Sequence, residues 1–185
     1  MKKDRYEVIM AGSGGQGLVV SGIMLAEAAI LEEKNVVQTV SYGIASRGGF
    51  SMAEVIIDKD EIIFQQVQQP DVVLILTEEA MEKFHALADQ GTSIFYDATL
   101  LKKRKDKRFY GQPFTELAAE LGHVGTANVI ALGYIAQVTG VIKIDSLAEV
   151  IRNRFSGNVQ NMNLNALQKG VGLATGNSPD RKAWC

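Results

Sequence analysis

The chain has 185 residues, 46% hydrophobic and 22% charged, with a formal net charge of -2. That length suits one compact domain, and the weak negative balance excludes a chain built to grip nucleic acid, which needs a concentrated basic surface. The one cysteine, Cys185, rules out an internal disulfide and an iron–sulfur cluster held by this chain alone, since such clusters take about four thiolates; it suits a reducing, cytoplasmic compartment.

The first residues, Met1 to Arg5, carry charge ahead of an apolar segment, but Glu7 and the glycines from Gly12 to Gly17 interrupt any signal-peptide core. No apolar run reaches the ~20 residues of a membrane helix, so no membrane partner is expected. Tyr6 to Ala11 reads as a strand, and Leu18 to Glu33 as a helix with Glu27, Glu32 and Glu33 on its wet edge. Val36 to Val40 reads as a second strand. Strand, helix and strand at this spacing predict a Rossmann-like βαβ unit with parallel pairing.

After the loop Ser41 to Gly49, Phe50 to Ile57 reads as a strand whose alternation breaks at Ala53 and Glu54, predicting a bulge or an edge position. Val72 to Leu76 is a continuous apolar run, as in a strand buried on both faces. Thr77 is a natural N-cap for the helix that follows, and Gly91 is its stop. Ser93 to Tyr96 is a further strand closed by Asp97, which could touch a ligand or cap a turn, the cap being the expected role. Lys102, Lys103, Arg104, Lys105, Lys107 and Arg108 form a basic run, read as a solvated loop. Arg108 to Tyr110 is a short strand, and Phe114 to Leu121 a helix.

The last third reads as helices over Asn128 to Val138, Ser146 to Phe155 and Val159 to Lys169, with Gly122, Gly140 and Gly170 as stops. Thr175 to Cys185 is a loose polar tail. With no repeat and no linker, the expectation is a single domain over 1–185. Its fold class is α/β, three-layer, with a mostly parallel sheet and a helical C-terminal part.

Two loops carry the chemical signal. Gly12, Gly14 and Gly17, with Gly15 and Gln16 between them, follow G-x-G-x-x-G after a strand and before a helix. Such a turn lets a ligand approach the backbone, and the helix start offers N–H groups to an anion. A tight turn packed against a neighbouring chain is the equal alternative. A dinucleotide site also wants an acid at the end of the second strand, and Gln38 to Tyr42 supplies none. The second loop holds Tyr42, Arg47 and Gly48. Arg47 is a permanent cation suited to carboxylate or phosphate, or to an acid of its own or a partner chain. His85 and His123 lack metal-ligand spacing. No nucleophile–base pair stands out. Asn128 and Asn163 read as packing residues.

Ala11 to Gly17, Gln38 to Gly43 and Ser46 to Gly49, followed by Pro70-Asp71-Val72, Ala127-Asn128, Ala131 to Gly133, and Asn163 with Ala166 and Gly170, resemble the gamma subunit of 2-oxoacid:ferredoxin (acceptor) oxidoreductases over nearly the whole chain. The resemblance implies a subunit of an enzyme that oxidatively decarboxylates a 2-oxoacid to its acyl-coenzyme A and reduces ferredoxin or another acceptor. It implies no tightly bound cofactor here. Coenzyme A would lie near Gly12, Gly14, Gly15, Gln16, Gly17, Tyr42, Arg47 and Gly48, and thiamine diphosphate and iron–sulfur clusters would belong to alpha, beta and delta-type partner subunits. The Ser41-Tyr42-Gly43 and Ser46 to Gly49 form looks more like the 2-oxoglutarate type than the pyruvate type, with the branched-chain 2-oxoacid and arylpyruvate types left open. Ile44 stands where proline is usual, which frees the backbone there. The competing readings are a free-standing nucleotide-binding oxidoreductase and a ligand-free assembly module.

Overall fold

The computed structural model describes residues 3–43 and 48–176. Its centre is a six-stranded sheet in the order β2-β3-β1-β4-β5-β6. The strands are β1 (Tyr6–Ser13), β2 (Asn35–Tyr42), β3 (Phe50–Asp58), β4 (Val72–Ile75), β5 (Ser93–Asp97) and β6 (Phe109–Gln112). The helices are α1 (Leu18–Leu31), α2 (Glu78–Phe84), α3 (Phe114–Glu120), α4 (Ala127–Thr139), α5 (Ile144–Arg154) and α6 (Gly157–Gly176). The apolar runs of β1 and β4 are buried throughout or nearly so because each has a strand on both sides and apolar cover on both faces.

The expected pairing of β1 with β2 does not occur. β3 lies between them and pairs antiparallel with both, while β1, β4, β5 and β6 pair parallel in succession. β2 therefore runs in the direction that a crossover requires, but one strand further out. The local pattern dictates strand, helix, strand; whether a hairpin partner slips into the gap is a non-local matter. Nor is β3 bulged or at an edge, for its register is continuous from Phe50 to Asp58 against both neighbours. The break in its alternation has another cause. Ala53 lies beneath α1 at Gly22, where a Cβ on the glycine would stand only 3.3 Å from that of Ala53, so a small residue is required. Glu54 faces the other way and accepts a hydrogen bond from Thr39 Oγ1 (2.9 Å).

The two faces of the sheet are covered unequally. Val8, Met10, Val55, Leu74 and Phe95 form one core with residues of α1, α3, α4, α5 and α6. Ile9, Ala11, Val73, Ile75, Ile94 and Tyr96 form a smaller one with Ala80 and Met81 of α2 and with Leu101. α4 and α6 approach backbone to backbone at Gly133 and Gly170. Gly170 is not the stop that its type suggests; it lies inside the 20-residue α6, against the backbone of Ile130 and Tyr134. Thr175, expected in the tail, is also within α6; residues 177–185 lie outside those described.

The other punctuation reads as expected. Thr77 caps α2 by accepting from Ala80 N (3.3 Å), Gly91 closes the 3-10 turn after α2 at φ 103°, and Gly140 closes α4 at φ 66°. Buried Asp97 does the work of a cap: it accepts from Thr99 N (2.9 Å), Thr115 N (3.0 Å) and Thr115 Oγ1 (2.5 Å), tying β5 to the start of α3. His85 bonds through Nδ1 to carbonyls of its own helical turn.

At the N-terminal edge of the sheet Glu7 is buried with its charge fully matched. It accepts from Arg5 (2.8 Å), Gln68 N (2.7 Å) and Gln69 N (2.8 Å). Burial pushes its carboxyl up, but Arg5 and the two N–H groups outweigh that and hold it below the ordinary carboxylate range. A depressed pKa stabilises the fold above the unfolded-state value and the benefit fades as pH falls through the folded one. Glu7→Gln is thus expected to cost about 1–3 kcal/mol at neutral pH, a gap that narrows below about pH 4. Melting curves from pH 7 to pH 3 for both proteins test it; a gap independent of pH would refute the assignment to charge.

Candidate functional site

The insertion of β3 beside β1 decides what lies at the carboxyl end of the sheet. Because Ser13 is opposite Phe50, the β2–β3 loop meets the glycine turn that follows β1. Gly14 N donates to Gly49 O (2.9 Å), and Gly43 N to Phe50 O (2.7 Å). Two motifs well separated in sequence become one surface. It lies where α1 leaves β1 over one face and α2 leaves β4 over the other, the crevice at which open α/β sheets bind ligands.

The expected residues divide into two sets. Gly12 is buried in β1, with the Gln16 amide and the Leu18 and Leu76 side chains around its α-carbon. Gln16 turns inward, its Oε1 accepting from Ser13 N (2.8 Å) and its Nε2 donating to Leu76 O (3.2 Å). Its side chain therefore staples the turn to the end of β4. Gly17 starts α1 at φ 74°, a conformation open to glycine at little cost. These three residues build the turn.

Gly14, Gly15, Tyr42 and Gly48 face outward. Gly15 (φ 94°) and Gly48 (φ 68°) have open space where a side chain would stand, and Tyr42 is 71% exposed at the end of β2. Arg47 lies outside the described residues. The surface therefore presents backbone N–H groups, a phenol and the positive end of α1, a set suited to anions or to a close-packed partner chain.

The missing dinucleotide acid now has a structural reason. The place beside β1, where such folds set the strand whose end carries that acid, holds β3, and β3 runs the opposite way. The strand end arriving there is the start of β3, at Phe50.

Asn128 is the hydrogen-bonding packing residue expected, and what it packs against is the glycine turn. At the start of α4 it is buried and donates through Nδ2 to Gly17 O (3.1 Å) and Ser21 Oγ (3.0 Å). It clamps the first turn of α1. With Gly17, His123, Met162 and Asn163 it lines a largely apolar cleft of about 270 Å³ between α1, α4 and α6. Gly49, part of the second motif though not among the expected binding residues, acts through its carbonyl.

The titrations that depart from ordinary values lie away from this surface. Burial pushes up the Tyr6 and Tyr134 phenols. Burial also raises the Glu32 carboxyl, but the Lys143 N–H and Lys34 outweigh it and hold that group low. Among the described residues no cluster of three or more His, Cys, Asp or Glu is placed to hold a metal ion, and no helix is long and apolar enough to cross a membrane.

Residues 7–173 match the pyruvate ferredoxin/flavodoxin oxidoreductase family. The chain belongs to that family. A 2-oxoglutarate synthase subunit KorC of Archaeoglobus fulgidus is 41% identical over 146 residues, covering 78% of this chain and 76% of that protein. The Methanocaldococcus jannaschii protein of the same name is 33% identical over 93% of this chain and 95% of its own length. Among solved structures, the gamma subunit of a keto/oxoacid ferredoxin oxidoreductase from Geobacter sulfurreducens superposes with a TM-score of 0.79 at 32% identity, over 93% of this chain and 99% of that one. The 2-oxoglutarate:ferredoxin oxidoreductase of Magnetococcus marinus, solved with 2-oxoglutarate, coenzyme A and succinyl-CoA, gives a TM-score of 0.83 at 25% identity, over 96% of this chain but only 32% of that longer one. Three of the five strand pairings are parallel, in keeping with the α/β fold and mostly parallel sheet expected.

Proposed function

We propose that this chain is a single-domain gamma subunit of a cytoplasmic 2-oxoacid:ferredoxin (acceptor) oxidoreductase, with 2-oxoglutarate as the 2-oxoacid. The observation that carries this reading is the meeting of the two family loops at the ends of β1 and β3, made by the Gly14–Gly49 hydrogen bond. The names of the relatives support the substrate class.

The chain's own share of the reaction is binding and orientation. Gly14 N–H ties the two loops together through Gly49 O, so the backbone donors offered to the phosphates of coenzyme A are those of Gly15, Gly17, Gly48 and the start of α1, while Arg47 offers the cation and Tyr42 an exposed ring for its polar head. Gly12 and Gln16 hold that surface in shape. With one cysteine, the donor set does not fit a four-thiolate cluster. Iron–sulfur clusters are therefore assigned to the alpha, beta and delta-type subunits, which also pass electrons to ferredoxin, and the family resemblance assigns thiamine diphosphate to them as well.

The test is steady-state kinetics of the complex assembled with Gly15→Asp or Arg47→Ala. Each removes or opposes a charge-assisted contact worth about 1.5–3 kcal/mol, so the KM for coenzyme A is expected to rise roughly tenfold to a hundredfold, with the KM for 2-oxoglutarate little changed. Unchanged coenzyme A dependence in both variants would remove the role assigned to this surface.

A further inference from the structure

The β5–β6 connection is the solvated loop expected, its cations all exposed, and it is also a strap tied to the domain at several points. Leu101 is buried in the smaller core. Arg104 N donates to Tyr96 Oη (2.8 Å), Arg108 Nη1 donates to Gly91 O (2.8 Å), and the Arg104 guanidinium lies 5.6 Å from the centre of the Phe109 ring. The Tyr96 ring reaches the strap because its cross-strand neighbour is Gly111, where any Cβ would overlap the ring.

This anchored segment carries its charges outward. Lys102, Lys103, Arg104, Lys105, Lys107 and Arg108 are all exposed. Between residues 102 and 108 there are six cations and one acid, Asp106; the rest of the chain has thirteen cations against twenty acids. The ion pairs among the described residues engage Lys3, Arg5, Lys34, Arg154 and Lys169, and none from the strap. Holding like charges together on ordered backbone opposes folding unless something else repays it.

We propose that the strap docks an acidic surface on a sister subunit of the oxidoreductase, an inference that rests on the subunit reading above. A nucleic acid or an anionic membrane would press phosphates against the remaining, net acidic surface as well. A single acidic patch on a protein meets the strap alone. Such contacts speed association and fix orientation, and salt screens them over about 10 Å at 0.1 M.

The experiment uses the coexpressed complex, with the tag on a sister subunit and this chain measured by how much is retained as salt rises. Lys102→Glu/Lys103→Glu/Lys105→Glu leaves the anchoring Arg104 and Arg108 in place, and the melting temperature of the isolated chain checks its fold. Retention of the wild-type chain is expected to fall with salt. The variant is expected to bind about tenfold or more weakly at low salt, with a flatter salt dependence. A variant retained like the wild type, with the same salt response, overturns the docking role alone. A wild-type chain that is not retained at all overturns the subunit reading and the docking with it. Retention abolished by nuclease assigns the strap to nucleic acid and overturns the proposal.

Discussion

Gly170→Ala is expected to lower the stability of this chain by about 1–3 kcal/mol, against the usual sign for such a change. Inside an exposed helix alanine is better than glycine by about 1 kcal/mol. Here the new Cβ would overlap the Ile130 carbonyl oxygen and stand 2.9 Å from Tyr134 N. Those are backbone atoms of a neighbouring helix and cannot rotate away. Gly133 on α4 meets the backbone of Leu167 on α6 in the same manner, so the two glycines set how closely the helices approach. An added methyl forces them apart, and overpacking of this kind costs roughly 1–3 kcal/mol in ordinary cores. For a chain of this length each kcal/mol moves the melting temperature by about 2–4 °C. Thermal and urea melts of Gly170→Ala beside Gly172→Ala, a position with nothing within 4 Å, separate packing from propensity. A Gly170→Ala protein as stable as its Gly172→Ala counterpart would show that the close approach is not what holds α6.

Gly17→Ala is expected to act on stability and on coenzyme A use together. The residue starts α1 at φ 74°, which costs an L-residue about 1–2 kcal/mol. Its Cβ would also overlap the Asn128 amide, the group that holds Gly17 O and Ser21 Oγ. If Asn128 moves, a buried hydrogen-bonding set is broken at a further cost of about 1–3 kcal/mol, and the donors at the start of α1 lose their alignment. The expected total is about 2–5 kcal/mol, with a raised KM for coenzyme A in the assembled enzyme. The clash predicts non-additivity. Asn128→Ala alone loses the clamp, but in the Gly17→Ala background it also relieves the overlap, so the double variant should be more stable than the sum of the singles predicts. Strict additivity in denaturant melts would mean that Asn128 and Gly17 do not meet as described.

Much of this protein could be read from local sequence. The apolar run of β4, the glycine turn into α1, Thr77 as a cap and Gly91 and Gly140 as stops depend on a few neighbouring residues, and local sterics and hydrogen bonding decide them. The ordered loops and the later Asn128, Asn163 and Gly170 also carried the family resemblance, which the match over residues 7–173 bears out. Glycine types alone could not distinguish Gly140, a helix stop, from Gly170, a contact between helices, because that depends on what packs against the Cα.

The sheet order was equally out of reach. A strand's pattern records which faces are buried, and it is the same whether β2 or β3 lies beside β1. Only the assembled sheet places the antiparallel β3 there, and the consequences follow from that placement: the second loop arrives against Gly14, Ala53 comes to lie under Gly22, and the place of a dinucleotide-binding strand is taken. Residue types at the two loops thus determined the expectation of an anion or a partner there. Tertiary pairing decided that the two loops form one surface, because hydrogen bonds between strands are made across the sheet, at separations along the chain that no local window spans.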